Sequence, residues 1–439
     1  MSPQAIDISR YAQLVAEARP IRRQGKVCQV VGLTIEVQGI TGLLGEVCYV
    51  KARGGGTIPA EIVGFREGRT LLMPLGEMQG IQSGSPVMAS GRVLSVPAGQ
   101  QLLGRVLDGL GRPLDGGGPI VTAERYPTAN ASPHPLRRTP ITRPMPTGVR
   151  AIDGMLTCGA GQRIGIFAGS GVGKSTLIGM IARNSRSDVS VIGLIGERGR
   201  EVQEFIDRDL GPEGMRRSVV VVSTSDEPPL VRLKGALVAT AIAEYFRDQG
   251  LSVTFLMDSV TRFAMAQREV GLAIGEPPAT KGYTPSVFAA LPKLMERAGT
   301  SELGSITAFY TVLVEGDDFT EPVTDTARSV LDGHIVLSRD LAAENQYPPI
   351  DVSNSVSRLM SSIAGNGHKQ AAAAVREAIA VYNRARDLVD IGAYAPGSNP
   401  EIDRALALMP KIKAFLQQPP EEATPFEETV SRLIGILEC

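Results

Sequence analysis

Residues 163–176 read Arg-Ile-Gly-Ile-Phe-Ala-Gly-Ser-Gly-Val-Gly-Lys-Ser-Thr. The apolar run 164–167 is typical of a buried strand, the stretch 169–173 is a glycine-rich loop, and residues 174–176 open a helical pattern. A glycine-rich loop between a strand and a helix can hold phosphate, because its backbone N–H groups and the helix N-terminus both favour negative charge. The stretch therefore predicts a nucleotide-binding P-loop.

The residue types at the end of this loop fit a nucleoside triphosphate. Lys174 can reach the β- and γ-phosphates, and the Ser175 hydroxyl can ligate Mg²⁺. One position departs from the strict pattern, since Ala168 stands where a glycine is expected. The predicted nucleotide-binding residues of the loop are Gly169, Ser170, Gly171, Val172, Gly173, Lys174, Ser175 and Thr176.

The composition is that of an ordinary globular protein. The chain has 439 residues, of which 43% are hydrophobic and 21% charged, with a formal net charge of −1. This length predicts about two to four domains, and the near-zero charge argues against nucleic acid as a partner. Residues 1–25 are locally basic and form a predicted N-terminal arm, either a solvated terminus or a docking segment for a protein or an acidic surface.

Cysteine, histidine and hydropathy patterns indicate a cytosolic protein without a zinc site. The four cysteines lie far apart with no Cys-x-x-Cys pair, and the three histidines show no metal spacing. Unpaired thiols are typical of reducing compartments. Because the chain lacks a hydrophobic signal core and any apolar stretch of about 18 residues, we expect it neither to span a membrane nor to be secreted through a cleaved signal.

The hydrophobic pattern changes twice along the chain. Residues 26–93 alternate short apolar runs with turn residues, which predicts a small β-barrel. After a Gly- and Pro-rich connector at 94–150, residues 151–350 alternate nearly all-apolar runs with helical stretches, which predicts an α/β domain with a mainly parallel sheet. Beyond residue 365 the spacing of apolar residues is helical, and Thr-Pro-Phe-Glu at 424–427 is typical of a capping box.

Two carboxylates follow predicted strands of the central domain. Asp258 ends the apolar run 253–257, and Glu197 follows the run 191–195. Since ligands of open parallel sheets bind beyond the carboxyl ends of the strands, both are expected near the P-loop. Asp258 is predicted to hold Mg²⁺ and Glu197 to orient the attacking water. From the residues alone, either carboxylate could instead cap a loop.

Several motifs together resemble the catalytic subunits of rotary ATPases. They are the P-loop, Gly-Glu-Arg at 196–198, Leu-Met-Asp-Ser at 256–259 and Gly-Glu-Pro-Pro-Ala-Thr-Lys-Gly-Tyr-Thr-Pro-Ser at 275–286. The chain is more similar to the related ATPases of type III protein export, flagellar or virulence-associated, and Ala168 fits that branch. The phrase at 65–77 resembles the flagellar branch more than the virulence branch. The resemblance runs from about residue 22 to the C-terminus.

The resemblance implies an α/β protein with a RecA-like P-loop ATPase core, an N-terminal β-barrel and a C-terminal α-helical domain. Combined with the patterning, it places the arm at 1–25, the barrel at 26–93, the ATPase core at 94–365 and the helical domain at 366–439. It also implies a homohexameric ring that binds ATP and Mg²⁺ between subunits.

The same resemblance implies roles for single residues. The implied catalytic residues are Lys174, Glu197, Arg198 and Arg358, and the implied metal ligands are Ser175 and Asp258. Arg358 resembles an arginine finger that reaches a neighbour's nucleotide, and Tyr347 resembles an adenine-stacking aromatic. From the residues alone, Arg358 is better interpreted as a surface arginine and Tyr347 as a packed core ring.

The predicted site residues also bear on how the chain assembles. A non-catalytic subunit needs no water-activating carboxylate, and a catalytic subunit with a specialised partner could borrow its arginine finger. This chain carries both Glu197 and Arg358. A single sequence can therefore build the whole site across a self-interface, which favours a homo-oligomeric ring.

The resemblance further implies a set of partners and a place of work. They are stator-like and stalk-like export proteins, export substrates with their chaperones, and the membrane export gate, but not nucleic acid. The chain would be cytoplasmic and peripherally associated with the inner-membrane export apparatus. By resemblance, the loop 275–287 faces the centre of the ring, where Lys281 and Tyr283 could sense a substrate or stalk protein.

Alternatives to flagellar export remain at this point. A virulence secretion ATPase is the nearest one. A rotary ATP synthase subunit fits Ala168 less well, and a hexameric RNA translocase is disfavoured by the near-zero charge and an aromatic-poor barrel. A non-enzymatic nucleotide-binding scaffold is disfavoured by Glu197.

Overall fold

The computed structural model describes residues 24–169, 171–314, 316 and 318–438. The chain divides into two compact units, of which the first ends at Leu94 and the second begins at Ser95. Most of the predicted arm and Ser170 of the P-loop lie outside the described residues. None of the helices in the described part combines the length and apolar character needed to cross a bilayer.

The first unit is a closed antiparallel barrel. Its strands are β1 Gln24–Val31, β2 Thr34–Gln38, β3 Glu46–Lys51, β4 Thr57–Arg66, β5 Arg69–Pro74 and β6 Pro86–Val93. They follow the order β1-β2-β5-β4-β3-β6, and β6 pairs with β1 to close the ring. Between β4 and β5, Glu67 and Gly68 both have positive φ (49° and 72°), the conformation of a tight two-residue hairpin turn. The predicted barrel is confirmed.

The second unit is built on a large, mainly parallel sheet. Its strands are β7 Ser95–Ala98, β8 Val106–Asp108, β9 Glu124–Pro127, β10 Arg163–Ala168, β11 Val189–Glu197, β12 Ser218–Thr224, β13 Ser252–Asp258, β14 Gly299–Thr300, β15 Ser305–Leu313, β16 Gly333–Leu337 and β17 Ile350–Ser357. The order is β17-β16-β10-β15-β13-β11-β12-β8, with β17 antiparallel at one edge and β14 antiparallel to β15. Strands β7 and β9 form a separate pair.

Helices flank and extend this sheet. They are α1 Arg150–Met155, α2 Lys174–Asn184, α3 Gly199–Glu204, α4 Gly211–Arg216, α5 Pro229–Asp248, α6 Val260–Ala273, α7 Pro285–Met295, α8 Pro322–Val330, α9 Arg339–Ala343, α10 Met360–Ile363, α11 Asn366–Asp390, α12 Pro400–Leu416 and α13 Phe426–Gly435. The central strands β10 to β13 and β15 are buried along nearly their whole length. Burial of both faces explains their almost continuous apolar sequences, and the predicted α/β class is confirmed.

The C-terminal helices share a hydrophobic core with the P-loop region. Ile412 and Leu433 belong to the same buried cluster as Ile164 and Ile178. Arg150 of α1 reinforces this packing, because its Nε donates to the carbonyl of Phe415, 2.9 Å away at the end of α12. A buried guanidinium that binds helix-end carbonyls satisfies acceptors that have no partner within the helix.

The predicted capping box at 424–427 is wrong. Helix α13 begins at Phe426, and no side chain caps its first turn. The Thr424 hydroxyl is instead used by the interface with α1, where it accepts a hydrogen bond from Arg150 Nη1 at 3.1 Å. A tertiary contact therefore replaces the local cap.

Candidate active site

The P-loop lies at the carboxyl edge of the parallel sheet. Strand β10 leads directly into it, and the parallel register sets Ala168 beside Leu313 and Leu194 beside Asp258. Loops that follow β10, β11, β13 and β15 therefore meet at one edge. This is the edge at which open α/β sheets bind ligands.

The loop backbone is arranged for an anion. Gly171 and Gly173 have φ of +79° and +84°, a region that glycine occupies without strain. Gly173 precedes α2, and no side chain caps the helix start. The first amides of α2 are thus available to phosphate oxygens.

Lys174 pairs with both predicted carboxylates. Its Nζ lies 2.5 Å from Asp258 Oδ1 and 3.5 Å from Glu197 Oε1. The side chain of Asp258 is only 4% exposed and that of Lys174 only 12%. Because charges this deeply buried need partners, the three side chains form one electrostatic unit.

The pKa values reflect this unit. Burial raises the pKa of Glu197 to about 7, and the neighbouring charge of Asp258 adds to the rise while Lys174 opposes it. Burial by itself lowers the pKa of Lys174, but Asp258 and Glu197 raise it above its ordinary value. A carboxyl group with a pKa near neutrality suits a general base.

Tyr347 lies beside the P-loop rather than in the core. Its Cε1 is 3.7 Å from the point where a Cβ on Gly173 would lie, and 44% of the residue is exposed. Its carbonyl accepts a hydrogen bond from the Gln418 amide at 2.9 Å, which connects the ring's segment to the C-terminal region. The ring is therefore available to a ligand that occupies the loop.

Arg358 lies at the opposite edge of the sheet. Since β17 runs antiparallel, Ser357 pairs with Gly333 at the amino end of β16, far along the strand from the P-loop side. The Arg358 side chain is exposed, and its Nη2 is 3.4 Å from the carbonyl of Arg328. Within one chain the structure does not bring Arg358 to Lys174.

Comparisons with known proteins agree with this architecture. The ATP synthase alpha/beta family matches with its nucleotide-binding domain at residues 148–357 and its beta-barrel domain at 27–91. The C-terminal domain described as that of the T3SS EscN ATPase matches residues 364–435.

Individual relatives are similar over nearly the whole chain. A flagellum-specific ATP synthase of Treponema pallidum (strain Nichols) is 54% identical, covering 97% of this chain and 96% of its own. A type 3 secretion system ATPase of Xanthomonas euvesicatoria is 53% identical, covering 94% of each chain. The chain belongs to the flagellar and type 3 secretion ATPases of the ATP synthase alpha/beta family.

A solved member of this ATPase family has the same fold. It is the assembled ATPase EscN of enteropathogenic E. coli in complex with its central stalk EscO. The TM-score is 0.87 at 44% identity, with 94% of this chain and 99% of that chain covered. The match includes the helical C-terminal region as well as the nucleotide-binding core.

The ATPase site contains a cavity of about 680 Å³ next to the P-loop. Lys174, Glu197 and Arg198, three of the residues predicted to be catalytic, line it, and their catalytic roles stay predictions. Arg198 is exposed there and pairs with Glu201 at 3.3 Å.

Sequence reasoning missed two cations of this cavity, Arg262 and Arg339. Arg262 packs over Gly196, and its buried Nε has no hydrogen-bond partner among the described residues. Arg339 covers Gly169, where a Cβ would come within 2.6 Å of its Nη2. Both arginines follow the carboxyl ends of sheet strands, which was a usable signal.

The two predicted metal ligands have oxygen donor atoms that fit Mg²⁺. Ser175 and Asp258 supply hard oxygen atoms, the ligands that Mg²⁺ prefers. In the described part of the chain, no three His, Cys, Asp or Glu side chains cluster as a metal site.

The loop 275–287 has one exposed and one buried member of the predicted sensing pair. Lys281 is exposed and forms an ion pair with Asp318 at 3.0 Å. Tyr283 is only 5% exposed, and the Arg268 guanidinium lies 5.3 Å from its ring centre. In this conformation, Lys281 is the residue of the pair that a partner could contact.

Proposed function

We propose that this ATPase hydrolyses Mg·ATP at interfaces between copies of itself in a homohexameric ring and thereby energises export of flagellar proteins through a type III apparatus. One observation carries the shared-site proposal. Lys174, Glu197 and Asp258 converge at one edge of the sheet, whereas Arg358 lies at the opposite edge of the same chain. A second copy is needed to combine them.

The chain's own residues account for most of the chemistry in this proposal. Phosphoryl transfer requires positioning and charge stabilisation more than covalent help. Lys174 moves away from Asp258 and Glu197 and binds the phosphates together with the P-loop amides. Glu197 orients and deprotonates the attacking water, and Arg358 of the neighbouring copy stabilises the charge that develops in the transition state. Ser175 and Asp258 would hold Mg²⁺, which would supply positive charge to neutralise the phosphates.

Two further residues have proposed roles at the nucleotide. Tyr347 stacks on the adenine, which is supported by its exposure and its position beside Gly173. Arg198 adds positive charge to the lining of the cavity. It pairs with Glu201, so a bound nucleotide would compete with Glu201 for the Arg198 guanidinium. Ser170 is included in the nucleotide-binding loop by its place in the motif alone.

The assembly partners follow from the relatives. Because EscN is known both assembled and with its central stalk EscO, we propose a ring with a stalk-like protein for this chain. Stator-like regulators, chaperoned substrates and the membrane export gate complete the proposed set. The ring would work in the cytoplasm, peripherally attached to the inner-membrane export apparatus.

The concentration dependence of ATPase activity tests the shared site. Specific activity of the full chain should rise across the range in which mass photometry detects ring assembly, because an isolated copy lacks a neighbour's Arg358. Activity that is constant per subunit from the monomer to the ring would contradict the proposal.

A second candidate is a non-flagellar type III secretion system, since the Xanthomonas relative is almost as similar as the Treponema one. Deletion of the gene, complemented with the wild type or with Glu197→Gln, separates the two. Loss of motility and of hook and filament proteins from the medium supports the flagellar role. Normal flagella with loss of other secreted proteins would transfer the function to the second candidate.

A further inference from the structure

Thr311 is a buried polar residue of the central strand β15. The strand lies between β10 and β13, and Thr311 is only 1% exposed. Its Oγ1 lies 2.7 Å from Asp258 Oδ1 and 3.3 Å from the carbonyl of Met257. A hydroxyl has one proton to donate, and the shorter contact to an ionised carboxylate is the stronger of the two.

The oxygen that Thr311 binds also binds Lys174. Asp258 Oδ1 accepts from Lys174 Nζ at 2.5 Å and from the Thr311 hydroxyl at 2.7 Å. In the proposed mechanism, Lys174 gives up this contact when it binds the phosphates of a nucleotide. When Lys174 leaves, Thr311 is still in place, because it belongs to a sheet strand rather than to the loop.

The strand that carries Thr311 is itself fixed at this end. The amide of Leu313 donates to Thr261 Oγ1 at 2.9 Å, and Thr261 belongs to the first turn of α6. Strand β13, the start of α6 and strand β15 are thereby joined on both sides of Asp258. A side chain that binds a metal ion keeps its orientation when neighbouring groups hold it in place, and these hydrogen bonds do so around Asp258.

We propose that Thr311 is a positioning residue for Asp258. Its hydroxyl holds one carboxylate oxygen and so fixes the rotation of the carboxylate toward Mg²⁺ after Lys174 has moved to the nucleotide. The inference rests on the proposed ATPase mechanism. It adds to the site a residue that lies outside the P-loop and is not one of the two strand-end carboxylates.

The test compares Thr311→Val with Thr311→Ser in the full-length chain. Valine keeps the shape and removes the hydroxyl, whereas serine restores the hydroxyl. Thr307→Val is the matched control, because Thr307 lies on the same strand, is equally buried, and binds the Gly161 amide at 2.8 Å instead of Asp258. If Thr311→Val does not fold by its thermal unfolding curve, Thr311→Ala takes its place.

The measurements are the affinity for a fluorescent ATP analogue in Mg²⁺ and in EDTA, and the Mg²⁺ concentration for half-maximal ATPase activity. Loss of a group that orients a metal ligand typically costs about 10- to 100-fold in metal affinity. Thr311→Val should therefore require about tenfold more Mg²⁺ and lose about tenfold in Mg²⁺-dependent affinity, with affinity in EDTA nearly unchanged. Thr311→Ser and Thr307→Val should behave like the wild type.

Three results would overturn the positioning role: wild-type Mg²⁺ dependence in Thr311→Val, equal loss of affinity with and without Mg²⁺, or the same defect in Thr307→Val. Failure of the proposed function is distinguishable from these. In that case the wild-type chain itself would show no Mg²⁺-dependent ATP hydrolysis.

Discussion

Lys174 and Arg358, which lie at opposite edges of the central sheet, have different surroundings. At the carboxyl edge, Lys174 is largely buried and lies within ion-pair distance of Asp258 and Glu197. At the amino edge, Arg358 is exposed, and the contact described for its side chain is a carbonyl oxygen 3.4 Å away. The same chain therefore holds one cation that is neutralised internally and one that is presented outward.

Physical chemistry explains this difference. A buried ammonium needs counter-charges because its desolvation is costly, whereas an exposed guanidinium keeps its hydration and needs none. An arginine that is not committed to an internal carboxylate can bind an anion supplied from outside, and its planar fork suits phosphate. The comparison predicts a site made of two halves, one on each edge, that copies of the chain complete for one another.

Removal of Lys174 should give the largest effect, because this half of the site would lose its central charge. Lys174→Ala should lower kcat by about 10³-fold, the upper end of what loss of one transition-state donor costs, and should weaken ATP binding as well, so that kcat/KM falls further. Steady-state ATPase assays and titration with a fluorescent nucleotide measure the two effects. Lys293→Ala, which removes an exposed lysine of α7, is the control and should change neither.

Removal of Arg358 should damage turnover almost as strongly but leave binding nearly intact. Arginine fingers contribute about 10³- to 10⁵-fold to kcat in well-studied GTPases, and here the finger would act from the neighbour. Arg358→Ala should therefore lose at least about 10³-fold in kcat while its ATP affinity stays close to that of the wild type. A large loss of affinity would mean that Arg358 acts on the bound ground state.

Mixing the two inactive variants tests the two-halves comparison directly. In random rings formed from equal amounts of Lys174→Ala and Arg358→Ala, about a quarter of the interfaces join an intact P-loop to an intact Arg358. Activity should return to a measurable fraction of wild type after co-assembly. Mixed rings, verified by mass photometry, that stay inactive would show that the edges do not complement one another.

Sequence reasoning reached the fold and one edge of the site for a simple reason. Parallel strands place their carboxyl ends together, so a P-loop after β10 and acids after β11 and β13 had to be neighbours. The barrel, the α/β core and the helical domain are confirmed by the structure and by the family matches. The roles of Glu197, Asp258, Tyr347 and Arg358 stay predictions that the geometry now supports.

What sequence reasoning missed depends on strand order. Thr311 meets Asp258 because β15 lies next to β13, and neither position reveals that pairing. A polar residue inside an apolar run was still a signal, since a buried hydroxyl needs a partner. The failed cap at Thr424 has the same cause, because a distant arginine takes a hydroxyl that local pattern assigned to its own helix.

The pH dependence of kcat/KM tests whether Glu197 at the carboxyl edge acts as the general base. Glu197 must be ionised to accept a proton from water, and its pKa is raised to about 7. Below that pH, log(kcat/KM) should fall by about one per pH unit, and above it the profile should level off, because kcat/KM reports the free enzyme. Glu201 also raises the pKa of Glu197, so in Glu201→Gln the increase of kcat/KM with pH should occur at lower pH. A profile that is flat from about pH 6 to about pH 8, one unit on either side of the Glu197 pKa of about 7, would show that Glu197 does not take part in the proton transfer.

Variants of Tyr347 test whether the carboxyl edge of the sheet also binds the adenine base of ATP. Base–aromatic stacking is worth about 1–3 kcal/mol per base, so Tyr347→Ala should weaken ATP binding by about tenfold. Tyr347→Phe keeps the stacking face and should bind like the wild type. Because triphosphate alone has no base, its affinity should be the same in all three proteins, and a loss there would indicate a damaged P-loop instead.

The smallest expected effect concerns the contact between the loop 275–287 and the carboxyl edge. Lys281 pairs with Asp318, which follows the segment whose Val314 and Gly316 line the nucleotide cavity. Both side chains are about half exposed, and exposed pairs are weak, so Lys281→Ala or Asp318→Asn should change basal kcat by less than about threefold. The exchanged pair, Lys281→Asp with Asp318→Lys, should restore the wild-type value if the contact transmits between loop and cavity. Two single effects that simply add in the double variant would show that the nucleotide cavity works without this link, and that the loop serves only its external partner.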